Sequence, residues 1–224
     1  MRISVVIPTL NEADRIAATL LPLQPLRARG HEVLVVDGGS TDLTAARATG
    51  LCDRVLQAPP GRARQMNRGA QAAHGEVLWF LHADTLVPAG AAATLLEALT
   101  QRAWGRFDVR LSGPQPLLRA VEALMNLRSR LTGIATGDQG LFVRRELFER
   151  VGGFPDIPLM EDIALSRALR RSGPPACLRV RLLTSSRRWE QHGVLRTILL
   201  MWRLRFDYWR GVPAERLAAR YRQG

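Results

Sequence analysis

The chain has 224 residues, 46% of them apolar and 23% charged, which suits one domain with a substantial core and argues against disorder. Its net charge is +12, carried by Arg alone among the long basic side chains, because no Lys occurs. Cys52 and Cys177 lie in no CxxC and beside no His pair, which excludes a disulfide framework and a structural zinc. No period of roughly 20–50 residues repeats, no uncharged apolar run of about 18 occurs, and no secretory leader is apparent, so a solenoid and a membrane-spanning helix are excluded and a cytoplasmic protein is expected.

In chain order, Ile3–Pro8 is a continuous apolar run and predicts a buried strand. Glu12–Leu23 carries Ile16, Leu20 and Leu23 at helical spacing. Glu32–Asp37 predicts a second buried strand, and Thr41–Thr49 a short helix with Ser40 as its cap. Arg54–Gln57 reads as a strand, Gly61–Ala73 as a helix, Val77–Leu81 as a fourth strand and Ala89–Gln101 as a helix. Such alternation implies an α/β fold with a mostly parallel sheet covered on both faces. The second half predicts strands at Phe107–Leu111, Gln139–Val143 and Leu178–Leu183. Its helices are predicted at Leu117–Leu131, Arg145–Val151, Asp162–Arg171 and Gly193–Arg210. Residues 1–192 are expected to form one domain and 193–224 a basic helical extension.

Ligands of open α/β sheets bind beyond the carboxyl ends of the strands. Strand one ends in Pro8-Thr9-Leu10-Asn11-Glu12, strand two in Asp37-Gly38-Gly39-Ser40-Thr41-Asp42, and strand four in His82-Ala83-Asp84. An Asp after a strand is often a turn former or helix cap. Three strands each delivering a carboxylate to one edge repel unless a cation offsets them, and a metal-bound diphosphate supplies one. Gly38-Gly39 allows close backbone approach to a ligand. Neither GxGxxG nor a Walker GK[ST] occurs, which argues against a dinucleotide dehydrogenase and a P-loop enzyme.

The segments VVIPTLNE, VVDGGSTD, LHADT, GDQGLFVRRELFERVGGF and MEDIALSRAL, in that order, resemble family 2 glycosyltransferases of the GT-A fold. The likeness runs from Ile3 to Arg171. It implies a Rossmann-like sandwich that binds a nucleoside-diphosphate sugar, typically a UDP-sugar. The length, GDQGLF and the Ser186–Glu190 run are most similar to a small bacterial subgroup, some members of which are linked to arsenosugar biosynthesis.

Position by position, the resemblance implies that Pro8, Thr9, Asn11 and Glu12 line the nucleotide pocket, with Gly38, Gly39 and Ser40 beside them. It makes Asp37 the acceptor for the base N–H and Arg64 a base or phosphate contact. His82-Ala83-Asp84 stands where the family has DxD, with His82 replacing the first Asp. Asp84 is then the metal contact for Mn²⁺ or Mg²⁺, and His82 either a ligand, which Mn²⁺ tolerates better, or a supporting residue. Asp162 would be the general base, with Glu161 beside it. Arg188-Trp189 matches part of a [QR]xxRW acceptor element, with Ser185 at the first position. Asp138 is a further acceptor-side carboxylate.

From Ala176 to Gly224 there are 11 Arg against Glu190, Asp207 and Glu215, a net +8. Leu195, Ile198, Leu199, Trp202, Phe206 and Trp209 form one stripe there, flanked by Arg196, Arg203 and Arg210. Such a helix either lies at an anionic membrane surface or packs its stripe on protein. Two other functions fit less of the pattern. A nucleotidyltransferase would open with a Gly-rich loop after strand one, where Pro8–Glu12 has no Gly. A non-catalytic module binding nucleic acid or membrane leaves the strand-end carboxylates without a task. No nucleic-acid partner is expected.

Overall fold

The computed structural model describes residues 1–223. Strands β1 (Ile3–Thr9), β2 (Glu32–Asp37), β3 (Arg54–Gln57), β4 (Val77–Phe80), β5 (Thr85–Leu86), β6 (Trp104–Leu111), β7 (Phe142–Arg144) and β8 (Ala176–Thr184) form one sheet, in the order β3-β2-β1-β4-β7-β6-β8-β5. The first four run parallel, with Thr9 opposite Asp37 and Val6 beside Phe80. Beyond β4 the sheet is mixed: β7 is antiparallel to β4 and β6, β8 parallel to β6, and β5 antiparallel to β8.

Side chains alternate across the sheet, and both faces are buried. Ile3, Val5, Ile7, Val33 and Val35 face one layer, which is closed by α1 (Ile16–Leu20), α2 (Gln24–Arg27), α3 (Thr44–Ala48) and α5 (Ala91–Ala98). Val6, Leu34 and Val36 face the other, closed by α4 (Arg62–Ala72), α7 (Arg145–Arg150) and α8 (Glu161–Arg170). Each such Val or Leu contributes roughly 1.5–3 kcal/mol on burial. The remaining helices are α6 (Pro116–Thr132), α9 (Arg187–His192), α10 (Val194–Trp209) and α11 (Ala214–Gln223).

Several boundaries differ from the sequence reading, each for a local reason. The helix expected over Glu12–Leu23 begins only at Ile16 and gives way to a 3₁₀ turn at Leu21–Leu23, where Pro22 lacks an N–H to continue it. The helix expected from Thr41 starts at Thr44, and Ser40 does not cap it, because its hydroxyl donates to Asp37 instead. Gly137–Gln139, at the start of the strand expected over Gln139–Val143, is a 3₁₀ turn closed by a reciprocal Thr136–Gln139 capping box, and the strand begins at Phe142. Strand β5 and helices α2 and α9 were not foreseen, and α11 only as part of the helical extension over 193–224.

The C-terminal helices are docked. Leu204, Leu217 and Ala218 are buried against Leu159, Met160 and Ile163 at the start of α8. Of the stripe expected to meet either lipid or protein, Ile198 packs on Leu111, Leu118 and Val121, while Leu195, Leu199, Trp202, Phe206 and Trp209 are all exposed, Trp209 at 71%. A neighbouring face of α10 makes the contacts.

Candidate active site

Two cavities open beyond the carboxyl ends of β1 and β4. The smaller, about 340 Å³, is lined by Pro8 and Thr9 at the end of β1, by Leu10 and Glu12 after it, by Gly61, Arg62 and Gln65 at the start of α4, and by His82, Ala83, Asp84 and Arg187. The larger, about 460 Å³, contains Glu161 and Asp162, Asp138, Arg188 and Trp189, together with residues of α6 and α10. Arg62, His82 and Asp84 belong to both, so the cavities meet at those three side chains.

Arg62 reaches this junction because Gly61 adopts φ 136°, a left-handed value that other residues rarely take, and starts α4 there. Desolvation in the cleft opposes its charge, but Glu161, Tyr221, Asp162 and Asp84 more than offset this and raise its pKa. Asp84 is raised from the ordinary carboxylate range by burial first and Glu12 second, with Arg187 and Arg62 opposing. Glu12 itself is held by Arg15 at 3.3 Å and Arg187 at 3.2 Å. A cation at Asp84 would relieve the crowding of Asp84 and Glu12. Among the described residues no three His, Cys, Asp or Glu side chains are grouped to hold a metal. An ion at Asp84 would therefore draw most of its ligands from phosphate oxygens, which fits Mn²⁺ or Mg²⁺.

His82 bridges the two sides. A Cβ on Gly137 would stand 2.4 Å from His82 Nε2, so only a glycine lets the imidazole lie against the Gly137–Gln139 turn. Burial, and then Arg62, depress the His82 pKa to about 3, leaving the ring neutral. The Gly137 N–H donates to Asp162 Oδ2 at 2.8 Å, and the Ile163 N–H to Oδ1 at 2.7 Å. Both Asp162 oxygens are thus oriented by backbone at the start of α8. Met160, just before it, has φ 70°, a strained value that turns the chain into the helix.

Glu161 is buried beside Asp162. Its pKa is pushed up to about 7, by burial first and by Asp162 second, with Arg62 opposing. An acid whose folded pKa exceeds its unfolded value stabilises the fold while protonated. That contribution is fully present below the unfolded pKa of 4.5 and is lost as pH rises through about 7. Stability of the ligand-free chain is expected to fall across this window, by at most ~1.4 kcal/mol per pH unit from one proton. Glu161→Gln should flatten that slope in urea melts recorded from pH 4.5 to 7.5. An unchanged slope would assign the proton elsewhere.

Several expected nucleotide residues do not line either cavity. Asp37, expected at an exposed strand end, is 2% exposed. Its Oδ2 accepts the Gly39 and Ser40 N–H groups at 3.1 and 2.9 Å, and its Oδ1 accepts the Ser40 hydroxyl. Asp37→Ala would therefore disturb the loop as well as any ligand contact. Gly38 leaves room for the Gln65 amide, 2.9 Å from where a Cβ would stand, and not for a ligand. Asn11, at φ 53° and exposed, lines neither cavity: its N–H donates to Ser40 Oγ and its Oδ1 accepts from Thr41. Arg64 points outward and pairs with Asp156 at 2.8 Å. Arg62, two residues earlier, takes the cleft position. Asp138, Glu161, Asp162, Arg188 and Trp189 all line the larger cavity. Arg188 donates to the Tyr221 carbonyl at 2.7 Å and stacks 3.7 Å over its ring. Arg62, Gln65, Arg128, Arg187 and Arg205 also line the cavities without a motif to mark them, and for the four Arg the pattern alone does not say which of the many along the chain turns inward.

A helix-covered sheet that is parallel in one half and mixed in the other, with two cavities sharing Arg62, His82 and Asp84, has the architecture of the GT-A glycosyltransferases. The chain belongs to glycosyl transferase family 2, whose model matches residues 4–152. An uncharacterized glycosyltransferase of Mycobacterium tuberculosis is 32% identical over 165 residues, 68% of this chain and 62% of the relative. The chain thus spans less than two thirds of that relative. A mannosyltransferase from Pyrobaculum calidifontis, solved in complex with GDP-Man and Mn²⁺, superposes with a TM-score of 0.66 at 25% identity, covering 81% of this chain and 56% of the other. Glucosyl-3-phosphoglycerate synthase from M. tuberculosis, solved with Mg²⁺ and UDP, gives 0.61 at 25% identity, covering 82% and 70%.

Proposed function

We propose that the chain is an inverting glycosyltransferase that moves a sugar from a nucleoside diphosphate, a UDP-sugar first, to an acceptor hydroxyl. The observation that carries this reading is the meeting of the two cavities at Arg62, His82 and Asp84, with Asp162 facing the larger one. The nucleotide occupies the smaller cavity and the acceptor the larger. A Mn²⁺ or Mg²⁺ ion held by Asp84 supplies Lewis-acid stabilisation of the leaving diphosphate. His82 supports that position from the second cavity's wall.

The protein's own residues do the rest. Arg62 and Arg187, whose charges both act on Asp84, offset the diphosphate charge. The acceptor oxygen attacks the anomeric carbon as the bond to the diphosphate oxygen breaks. Asp162 takes the hydroxyl proton on a carboxylate whose backbone donors hold it in place. Attack from the acceptor side, opposite the departing diphosphate, inverts the anomeric centre. Residues 1–192 carry the GT-A domain, and 193–224 complete the acceptor cavity through Ile198, Met201, Trp202, Arg205 and Tyr221. Gly137–Phe142 and Ser186–Glu190 support assignment to the small bacterial subgroup of the family. NMR of the transferred sugar tests the reading: the product should carry the opposite anomeric configuration to the donor, and retention would require a different mechanism.

A further inference from the structure

The floor and the mouth of the larger cavity ask for different things. On the floor, Arg128 Nε and Nη2 and Arg205 Nε are buried without a hydrogen-bond partner among the described residues. Arg188 Nε is unpaired as well, but its Nη2 donates to the Tyr221 carbonyl, and the charge of Arg62 is offset by Glu161, Asp162 and Asp84. Burial first, and repulsion from Arg205 second, bring the Arg128 pKa down to about 10, while Asp138 and Asp162 oppose this. Asp138, whose pKa is raised by burial, makes no hydrogen bond to either guanidinium, and its Oδ1 is likewise buried without a partner among the described residues. Buried guanidinium nitrogens left unpaired are costly, and a bidentate anion relieves them.

The mouth is apolar. Leu124 of α6 and Trp202 of α10 line the cavity yet are 57% and 63% exposed. Each continues outward along its helix: Leu117, Leu127 and Leu131 on α6, and Leu195, Leu199, Phe206 and Trp209 on α10, all exposed. At 100° per residue the faces of α10 follow in order: Leu204 to the core, Met201 and Arg205 to the cavity, Trp202 and the stripe to solvent, then Arg196, Arg203 and Arg210. The apolar surface is therefore continuous with the cavity and edged by positive charge. A lipid leaflet with anionic headgroups complements both features.

Resting on the glycosyltransferase reading above, we infer that the acceptor is an anionic amphiphile drawn from a membrane surface, its anionic group bound between Arg128 and Arg205 and its apolar chain leaving over Leu124 and Trp202. The exposed stripes of α6 and α10 lie in the interface, with the arginines on α10 at the headgroups. The acceptor hydroxyl then meets Asp162 without the chain leaving the lipid.

Calorimetry on the full chain tests this with dodecyl phosphate below its micelle concentration, inorganic phosphate and neutral dodecyl maltoside. Dodecyl phosphate should bind at least tenfold more tightly than either of the others. Arg128→Gln with Arg205→Gln, and separately Leu124→Ser with Trp202→Ser, should each remove at least tenfold of that affinity. Near-UV circular dichroism checks that the variants are folded, and the exposed pair provides a variant set with no buried group. Sedimentation with vesicles of phosphatidylglycerol and phosphatidylcholine should show binding that salt suppresses and that pure phosphatidylcholine lacks. Equal affinity for inorganic and dodecyl phosphate would overturn the inference in favour of a soluble anionic acceptor. Dodecyl phosphate binding untouched by the Arg substitutions would overturn it as mere adsorption. A parallel titration with UDP and Mn²⁺ separates the two readings: nucleotide binding without alkyl-phosphate preference defeats this inference alone, whereas absent nucleotide binding defeats the enzyme reading.

Discussion

Asp162→Asn is expected to lower the transfer rate by roughly 10²–10⁴-fold, the range for removing a general base, while donor affinity changes little. The two effects separate because Asp162 lies in the larger cavity and is absent from the lining of the smaller one. The amide keeps the shape of the carboxylate but not its proton affinity. It also loses one of two backbone contacts, since both oxygens accept an N–H and the amide retains a single acceptor. A stability loss of about 1 kcal/mol is therefore expected, small against the kinetic effect. Single-turnover transfer with saturating donor measures the rate apart from binding. Glu161→Gln should be milder, because Glu161 is partly protonated near neutrality already. An Asp162→Asn enzyme with near-normal turnover and intact donor affinity would hand the base to Asp138 or Glu161, the carboxylates that share its cavity.

Asp84→Ala is expected to abolish the metal-dependent part of nucleotide affinity, and His82→Ala to reduce it only a few-fold. Asp84 stands at the junction of both cavities, crowded by Glu12 and flanked by Arg62 and Arg187. An ion there depends on its carboxylate because the described residues offer no second acidic or thiolate cluster to replace it. His82 packs on Gly137, so its loss should loosen the turn that orients Asp162 before it affects the metal. Titration of each variant with UDP, with and without Mn²⁺, measures both. Equal damage from the two substitutions would make His82 a direct ligand.

The parallel half of the sheet was legible because its strands are doubly buried and show as unbroken apolar runs: Ile3–Thr9 and Glu32–Asp37 are buried throughout. The placing of Glu12 and Asp84 near one edge followed from strand ends alone, whereas Asp162, at the start of a helix, was reached only through the family resemblance of MEDIALSRAL. Side-chain direction did not. Arg62 and Arg64 are two residues apart at the start of one helix and face opposite ways, one into the cleft and one to Asp156. Asp37 looked exposed because strand ends usually are, yet the Gly39–Ser40 backbone folds over it. The contribution of α6 to the larger cavity was also hidden, because Val121, Met125 and Arg128 carry no motif and meet α10 only through tertiary packing.

The central claim is that the cleft at Asp84 and Arg62 holds a sugar nucleotide. Isothermal titration of the wild-type chain with UDP and GDP sugars, each with and without Mn²⁺, tests it most directly. The expected result is saturable 1:1 binding of at least one of them that strengthens at least tenfold with the metal and weakens markedly in Arg62→Ala. Absence of binding to every nucleotide sugar, with metal present and the chain folded, would contradict it.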